Sequence, residues 1–280
     1  MSETNPTPAQ ERPEITHSPV TAFFIGLVAG VGSALLGIGG GLVMVPAMVW
    51  QFRLRQHRAV GTSLAVILPT ALAAAWLYHA EALRRHDPGL QLWVVVWLAV
   101  GGVVGGVLGA MIANAIGAKQ LRRIFGVFVV ATGVVMVLRA TVPLSGGPQT
   151  AIDLVRSLQL VGVGVLVGVV AGLLGVGGGL VMVPALSLLL GYDQHLAQGT
   201  SLAVIIPVSI SAMSAHTRRG NVVWSLVPPM AVGAVLGALI TIGPVFRLED
   251  TALRMLFGVF LVIIGTSMVA TRPARRDHAG

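Results

Sequence analysis

The chain of 280 residues contains no cysteine. Disulfides, thiolate metal sites and thiol redox chemistry are therefore excluded. Acidic residues are scarce, with ten Asp and Glu against eighteen Lys and Arg, and charged residues of both signs make up only 10% of the chain. A water-soluble domain carries about 25% charged residues to cover its surface, so this composition excludes one. There are two tyrosines and no interleaving of basic with aromatic residues. The net charge of +8 therefore does not point to nucleic acid, and lipid headgroups are the better partners for it. The seven histidines show no metal-ligand spacing. There is no Gly-x-Ser-x-Gly, no Lys-Ser/Thr after the glycines, and Leu42 and Leu180 stand where a dinucleotide fingerprint needs its third glycine. No metal, no cofactor and no enzyme chemistry is expected.

What remains is hydrophobic: 55% of the residues, with a mean hydropathy of +0.88. The apolar segments run over 20–50, 60–80, 91–117, 121–140, 157–190, 196–216, 222–246 and 251–271. Their length and their short basic connections indicate a multi-pass, all-α membrane protein of about eight segments.

The chain is a duplication. Gly37 to Ala47 reads GIGGGLVMVPA, and Gly175 to Ala185 reads GVGGGLVMVPA, at an offset of 138. At the same offset Gly61 to Ile67 and Gly199 to Ile205 both read GTSLAVI. Gln56-His57 matches Gln194-His195, and Pro69 matches Pro207. The expected organisation is a disordered polar tail over 1–19, a first repeat over 20–140, a linker over 141–156, a second repeat over 157–271 and a basic tail over 272–280.

Segments 20–50 and 157–190 are each too long for one crossing. The first alone would make a helix of about 46 Å, against about 30 Å of hydrocarbon. Each carries a glycine triplet and a proline in mid-course, so each is expected to break into two short helices. Whether they cross once or re-enter stays open. If both re-enter, Arg84, Arg85, Arg139, Arg156, Arg247 and Arg254 share one side and the other twelve basic residues lie opposite. That split obeys the positive-inside rule, puts both termini in the cytoplasm and inverts the second half relative to the first.

Interrupted segments at matching places in two halves point to a transporter's binding site. Gly39, Gly40 and Gly41, with Gly177, Gly178 and Gly179, expose amides that attract an anion at a helix start. The competing reading is close packing by small residues. Thr62, Ser63, Thr200 and Ser201 offer hydroxyls to the same anion, or else cap or back-bond their own helices. Gly101, Gly105 and Gly109, with Gly102 and Gly106, are a packing face echoed by Gly233 and Gly237. No acidic residue falls clearly inside a segment, which disfavours a carboxylate relay and suits an anion.

These paired motifs resemble the TauE/SafE family of sulfite and sulfonate exporters. The resemblance covers about 20–271 and rests on Gly37 to Pro46 with Gly61 to Ser63, and Gly175 to Pro184 with Gly199 to Ser201. It implies a transporter of the bacterial cytoplasmic membrane that exports a small sulfur-containing anion by alternating access. A passive anion channel and a non-transporting scaffold are the alternatives, and homo-oligomerisation stays open.

Overall fold

The computed structural model describes residues 18–87, 89–113, 118–142, 154–174 and 178–270. The two tails, most of the linker and Gly177 lie outside the described residues. The described residues form helices joined by short connections, with no strand among them. The first half carries α1 (Pro19–Leu36), α2 (Gly41–Gln51), α3 (Gln56–Arg84), α4 (Leu92–Ala113) and α5 (Ala118–Leu138). The second carries α6 (Leu154–Leu174), α7 (Gly179–Pro184), α8 (Gln194–Arg218), α9 (Val227–Val245) and α10 (Asp250–Ala270). A π-helical turn, Ala185–Leu189, continues α7. Six of these helices are long and apolar enough to cross a bilayer, and shorter apolar helices accompany them. Large apolar side chains lie exposed on their outer faces, among them Val107 on α4, Ile240 on α9 and Ile263 on α10. Such a surface is stable against lipid rather than water.

The halves interlock instead of standing side by side. α1 packs on α9, and α6 packs on α4, so each half lends its first helix to the fourth helix of the other. Glycine makes these seams close. A Cβ on Gly26 or Gly30 would fall 2.1 or 2.0 Å from the carbonyl oxygens of Met230 and Ala234. On Gly105 and Gly109 it would fall 2.1 Å from those of Val165 and Val169. The glycine face of α4 is thus its contact with α6, and its echo on α9 is the contact with α1.

The order of these contacts fixes direction. Gly26 meets Met230 and Gly30 meets Ala234, so α1 and α9 run parallel. α4 and α6 are parallel by the same reasoning. Gly126 meets Gly265 while Gly133 meets Gly258, so α5 and α10 are antiparallel. Gly61 lies against His216, whereas Gly199 lies against Tyr78, so α3 and α8 are antiparallel too. α3 begins beside the approach to α9, through Thr62 and Val223, and ends beside Phe246 through Tyr78. Hence α1 and α3 point the same way, and the chain turns back between them. The long first segment re-enters. The long helices of the second half oppose their counterparts in the first, so the repeats are inverted.

α3 and α8 form the centre. Among the described residues, eight of the twelve buried polar side chains lie on them: Thr62, Ser63, Thr70, Gln194, Gln198, Thr200, Ser201 and Ser209. The membrane-facing helices enclose a polar axis, where a polar group inside a bilayer finds partners.

Candidate functional site

The site begins with the two breaks. Gly40 caps the start of α2 at φ 73°, and its repeat mate Gly178 caps α7 at φ 80°. A side chain at either position would be strained, because this left-handed backbone favours glycine. Neither cap has a side-chain hydrogen bond to the helix it opens. In the first break Val43 and Met44 amides both donate to the Gly40 carbonyl, each at 3.1 Å. In the second, Val181 and Met182 amides do the same to Gly178. The first amides of each short helix have no intrahelical acceptor and lie at the positive end of its dipole.

The breaks meet at mid-bundle. A Cβ on Gly179 would lie 2.7 Å from Ile38 Cα and 3.0 Å from Ile205 Cδ1. One on Gly39 would lie 3.4 Å from both Ile205 Cδ1 and Ile67 Cγ2, and one on Gly41 would lie 3.0 Å from Ile67 Cδ1. Ile67 and Ile205 are repeat mates, and they fill the space between the breaks. Gly39, Gly41, Gly178 and Gly179 therefore share one region. Close packing accounts for part of the glycine requirement, at Gly179 above all.

The hydroxyl blocks divide. Neither opens its helix: α3 starts at Gln56 and α8 at Gln194, with Asp193 as the cap of α8. Of the readings open for Thr62, Ser63, Thr200 and Ser201, N-capping is excluded, since these residues lie inside their helices rather than at their starts. Thr62 Oγ1 donates to the Arg58 carbonyl at 2.7 Å and accepts from the Val223 amide at 2.9 Å. Ser63 Oγ donates to the Val60 carbonyl at 2.9 Å. Both back-bond within α3, and Thr62 also ties α3 to the approach to α9. Ser201 instead donates across the halves to the Gly37 carbonyl at 2.8 Å. Thr200 is buried beside it.

Above this centre, toward the end shared by the C-terminus of α3 and the start of α8, lies a cavity of about 280 Å³. Tyr78, Leu90, Gly199 and Phe246 line it, with Asp87, Asp193, His195 and Asp250 at its walls. At its floor the Tyr78 hydroxyl shares its proton between the Ala34 carbonyl at 2.6 Å and Gln198 Oε1 at 2.8 Å. Gln198 Nε2 donates to the Leu35 carbonyl at 2.9 Å. The end of α1 is thus clamped by one side chain from each half. At the opposite end Gly61, the mate of Gly199, is sealed: a Cβ there would lie 2.2 Å from the Asn221 carbonyl oxygen.

The ligand atoms of Asp193, His195 and Asp250 all lie within 4.8 Å of one another. Sequence spacing gave no sign of this group, because Asp250 lies far along the chain from Asp193 and His195. Each carboxylate has structural work: Asp193 accepts from the Leu196 amide at 2.8 Å, and Asp250 accepts from the Gln194 amide and pairs with Arg254. Burial first, and then the neighbouring Asp250 and Asp87 charges, push the Asp193 carboxyl above its usual range, against the Leu196 hydrogen bond and His195. Two further hydroxyls were missed, Ser33 and Ser187, both fully buried and without a hydrogen-bond partner among the described residues. For Ser33 a signal existed: no other hydroxyl stands between Ala22 and Leu36.

A family model described as Sulfite exporter TauE/SafE matches residues 3–137 and 160–280. The chain belongs to the TauE/SafE family. It is 27% identical over 272 residues to the probable membrane transporter protein YunE of Bacillus subtilis, covering 88% of this chain and 95% of that protein. A probable membrane transporter protein of Methanocaldococcus jannaschii is 23% identical over 259 residues, covering 88% of this chain and 93% of that one. One from Haemophilus influenzae is 36% identical over 114 residues, covering 38% and 43%. As a TauE/SafE member with this helical surface, the chain is a multi-pass membrane transporter.

Proposed function

We propose that this TauE/SafE protein is a secondary transporter that exports a small sulfur-containing anion, such as sulfite, sulfoacetate or a related organosulfonate, by alternating access. The observation that supports the reading is the close approach of two helix breaks at mid-bundle, where the starts of α2 and α7 lie near one another. Broken helices with their positive ends at the centre are the arrangement by which transporters hold anions. Substrate ligands in this reading are Gly39, Gly40, Gly41, Gly177, Gly178 and Gly179 through their amides, and Thr62, Ser63, Thr200 and Ser201 through their hydroxyls, those of Thr62, Ser63 and Ser201 released from their present carbonyls.

Inverted repeats give alternating access when the two halves exchange unequal conformations. Inequality supports the reading. Gly199 faces a cavity while Gly61 is sealed, and a π turn follows Pro184 while α2 stays α-helical through Pro46. With the basic end in the cytoplasm of a bacterial inner membrane, both termini are cytoplasmic and the cavity opens outward. Asp87, Asp193 and Asp250 around it repel an anion that has left the centre, which favours release over rebinding.

The test is flux in proteoliposomes holding the purified protein. Saturable, counterflow-competent movement of sulfite or sulfoacetate is the expected result. Equal flux with and without protein over the whole set of anions overturns the reading, and flux without saturation replaces it with a channel.

A further inference from the structure

Ser33 is fully buried in α1, and its Oγ has no hydrogen-bond partner among the described residues. A helical serine ordinarily bonds back to a carbonyl three or four residues earlier. Ser63 does so with Val60, and Ser214 with Ile210. A buried donor left unmet is unfavourable and calls for a reason.

Its surroundings supply one. Ala29, Gly32 and Ser33 stand three and four residues apart and so share a face of α1. That face meets the start of α2. A Cβ on Gly40 would lie 2.8 Å from the Ala29 carbonyl oxygen, and one on Gly32 would lie 3.9 Å from Val43 Cγ2. Ser33 is on the same face, one turn nearer the break than Ala29. By this spacing it lies on the side of α1 next to the first turn of an eleven-residue helix whose cap, Gly40, has no side chain to offer. The amides of Gly41 and Leu42 have no acceptor within that helix. No charged residue lies between Val20 and Gln51.

This set is neutral and dominated by donors: two amides at the positive end of a helix, with one hydroxyl that can also donate. Neutral donors in a dry site hold an anion without a counter-charge, and they disfavour a cation. We propose that Ser33 Oγ is a ligand of the transported oxyanion and, with the Gly41 and Leu42 amides, completes the binding site at the start of α2. This rests on the transport reading for the identity of the ligand, and adds a residue that neither motif contains. Ile67, packed against Gly41, closes the site in this conformation.

The experiment is anion-dependent thermal stabilisation of the purified full chain in detergent, with sulfite, sulfoacetate, thiosulfate and sulfate as probes. The wild type is expected to be stabilised by at least one of them. Ser33→Ala is expected to weaken that apparent affinity about tenfold or more, as loss of a hydrogen bond to a charged group does. Without anion it should melt at or above the wild-type temperature, because an unmet donor has been removed. Ser214→Ala, exposed and back-bonded, should change neither. Wild-type affinity in Ser33→Ala overturns the proposal. So does a lower melting temperature without anion, which makes the hydroxyl structural. Stabilisation of the wild type by none of the four also overturns it, and flux in proteoliposomes would then leave the transport reading standing. Binding that is lost in Ser33→Ala, with no flux in the wild type, upholds the site and sinks the transport reading.

Discussion

Ser201 Oγ donates to the Gly37 carbonyl at 2.8 Å, although 164 residues separate them. The bond ties the Gly-Thr-Ser block of the second half to the glycine break of the first. Its repeat mate Ser63 bonds only within its own helix, to Val60. Ser201→Ala leaves a buried carbonyl at a helix end without this donor and should cost about 1–3 kcal/mol. Ser63→Ala removes a bond from a carbonyl already serving α3 and should cost about 1 kcal/mol or less. Thermal melts of the two variants measure the difference, which vanishes if the halves are equivalent.

Gly41 and Gly179 occupy the same motif position but meet different neighbours. A Cβ on Gly41 would reach only the Ile67 Cδ1 tip, at 3.0 Å, whereas on Gly179 it would press on Ile38 Cα at 2.7 Å. A side-chain tip can turn away and a backbone cannot. Gly41→Ala should therefore stay within about 1 kcal/mol of wild type, while Gly179→Ala should lose about 1–3 kcal/mol by overpacking. Equal melting temperatures would show that the breaks sit symmetrically.

Much of this arrangement was readable from residues alone. The offset of 138 located both breaks, and the Lys and Arg distribution favoured the re-entrant path that the parallel α1 and α3 require. The glycine ridge on α4 was legible as a packing face, but its partner was not. Nothing in Gly105 says that it meets Val165 of the other half, because swapping first helices between repeats leaves the local pattern unchanged. The hydroxyl blocks misled on helix starts. Gly61 and Gly199 lie inside their helices, where they allow close approach to Asn221 and Tyr78, and an isolated glycine reads as a boundary when its neighbour is unknown. Asp193, His195 and Asp250 come together only through the folding of α8 against α10. Whether the converging amides bind an anion is a question of chemistry that neither spacing nor packing answers.

Asp193 gives a pH dependence with a definite sign. Burial raises its pKa in the folded state, so folding favours the protonated form. The associated stability is fully present below the unfolded carboxylate pKa and is lost as pH rises through the higher folded value. Asp193→Asn keeps an acceptor for the Leu196 amide and removes the charge. It should match or exceed wild-type stability at pH 7, with the advantage shrinking as pH falls toward 4. Melting curves across that interval check it, and an advantage that grows on acidification contradicts the assignment.

The direction of the helices yields the last prediction, and the absence of native cysteine makes it clean. Arg53 lies between α2 and α3, Asp193 before α8, Arg219 after α8 and Leu248 between α9 and α10. The parallel pairs α1–α9 and α4–α6, with α3 and α8 antiparallel, put positions 53 and 219 at one end of the bundle and 193 and 248 at the other. Single crossings by the long segments would instead put 53 and 193 on the same side. Cysteines introduced singly at these four positions should label in two groups with a membrane-impermeant maleimide. Positions 193 and 248 should react in intact cells, and 53 and 219 only after the membrane is permeabilised, since the basic loops stay in the cytoplasm. Reaction of 53 and 193 from the same side would refute the inverted, re-entrant path, and with it the convergence of the two helix starts on one anion.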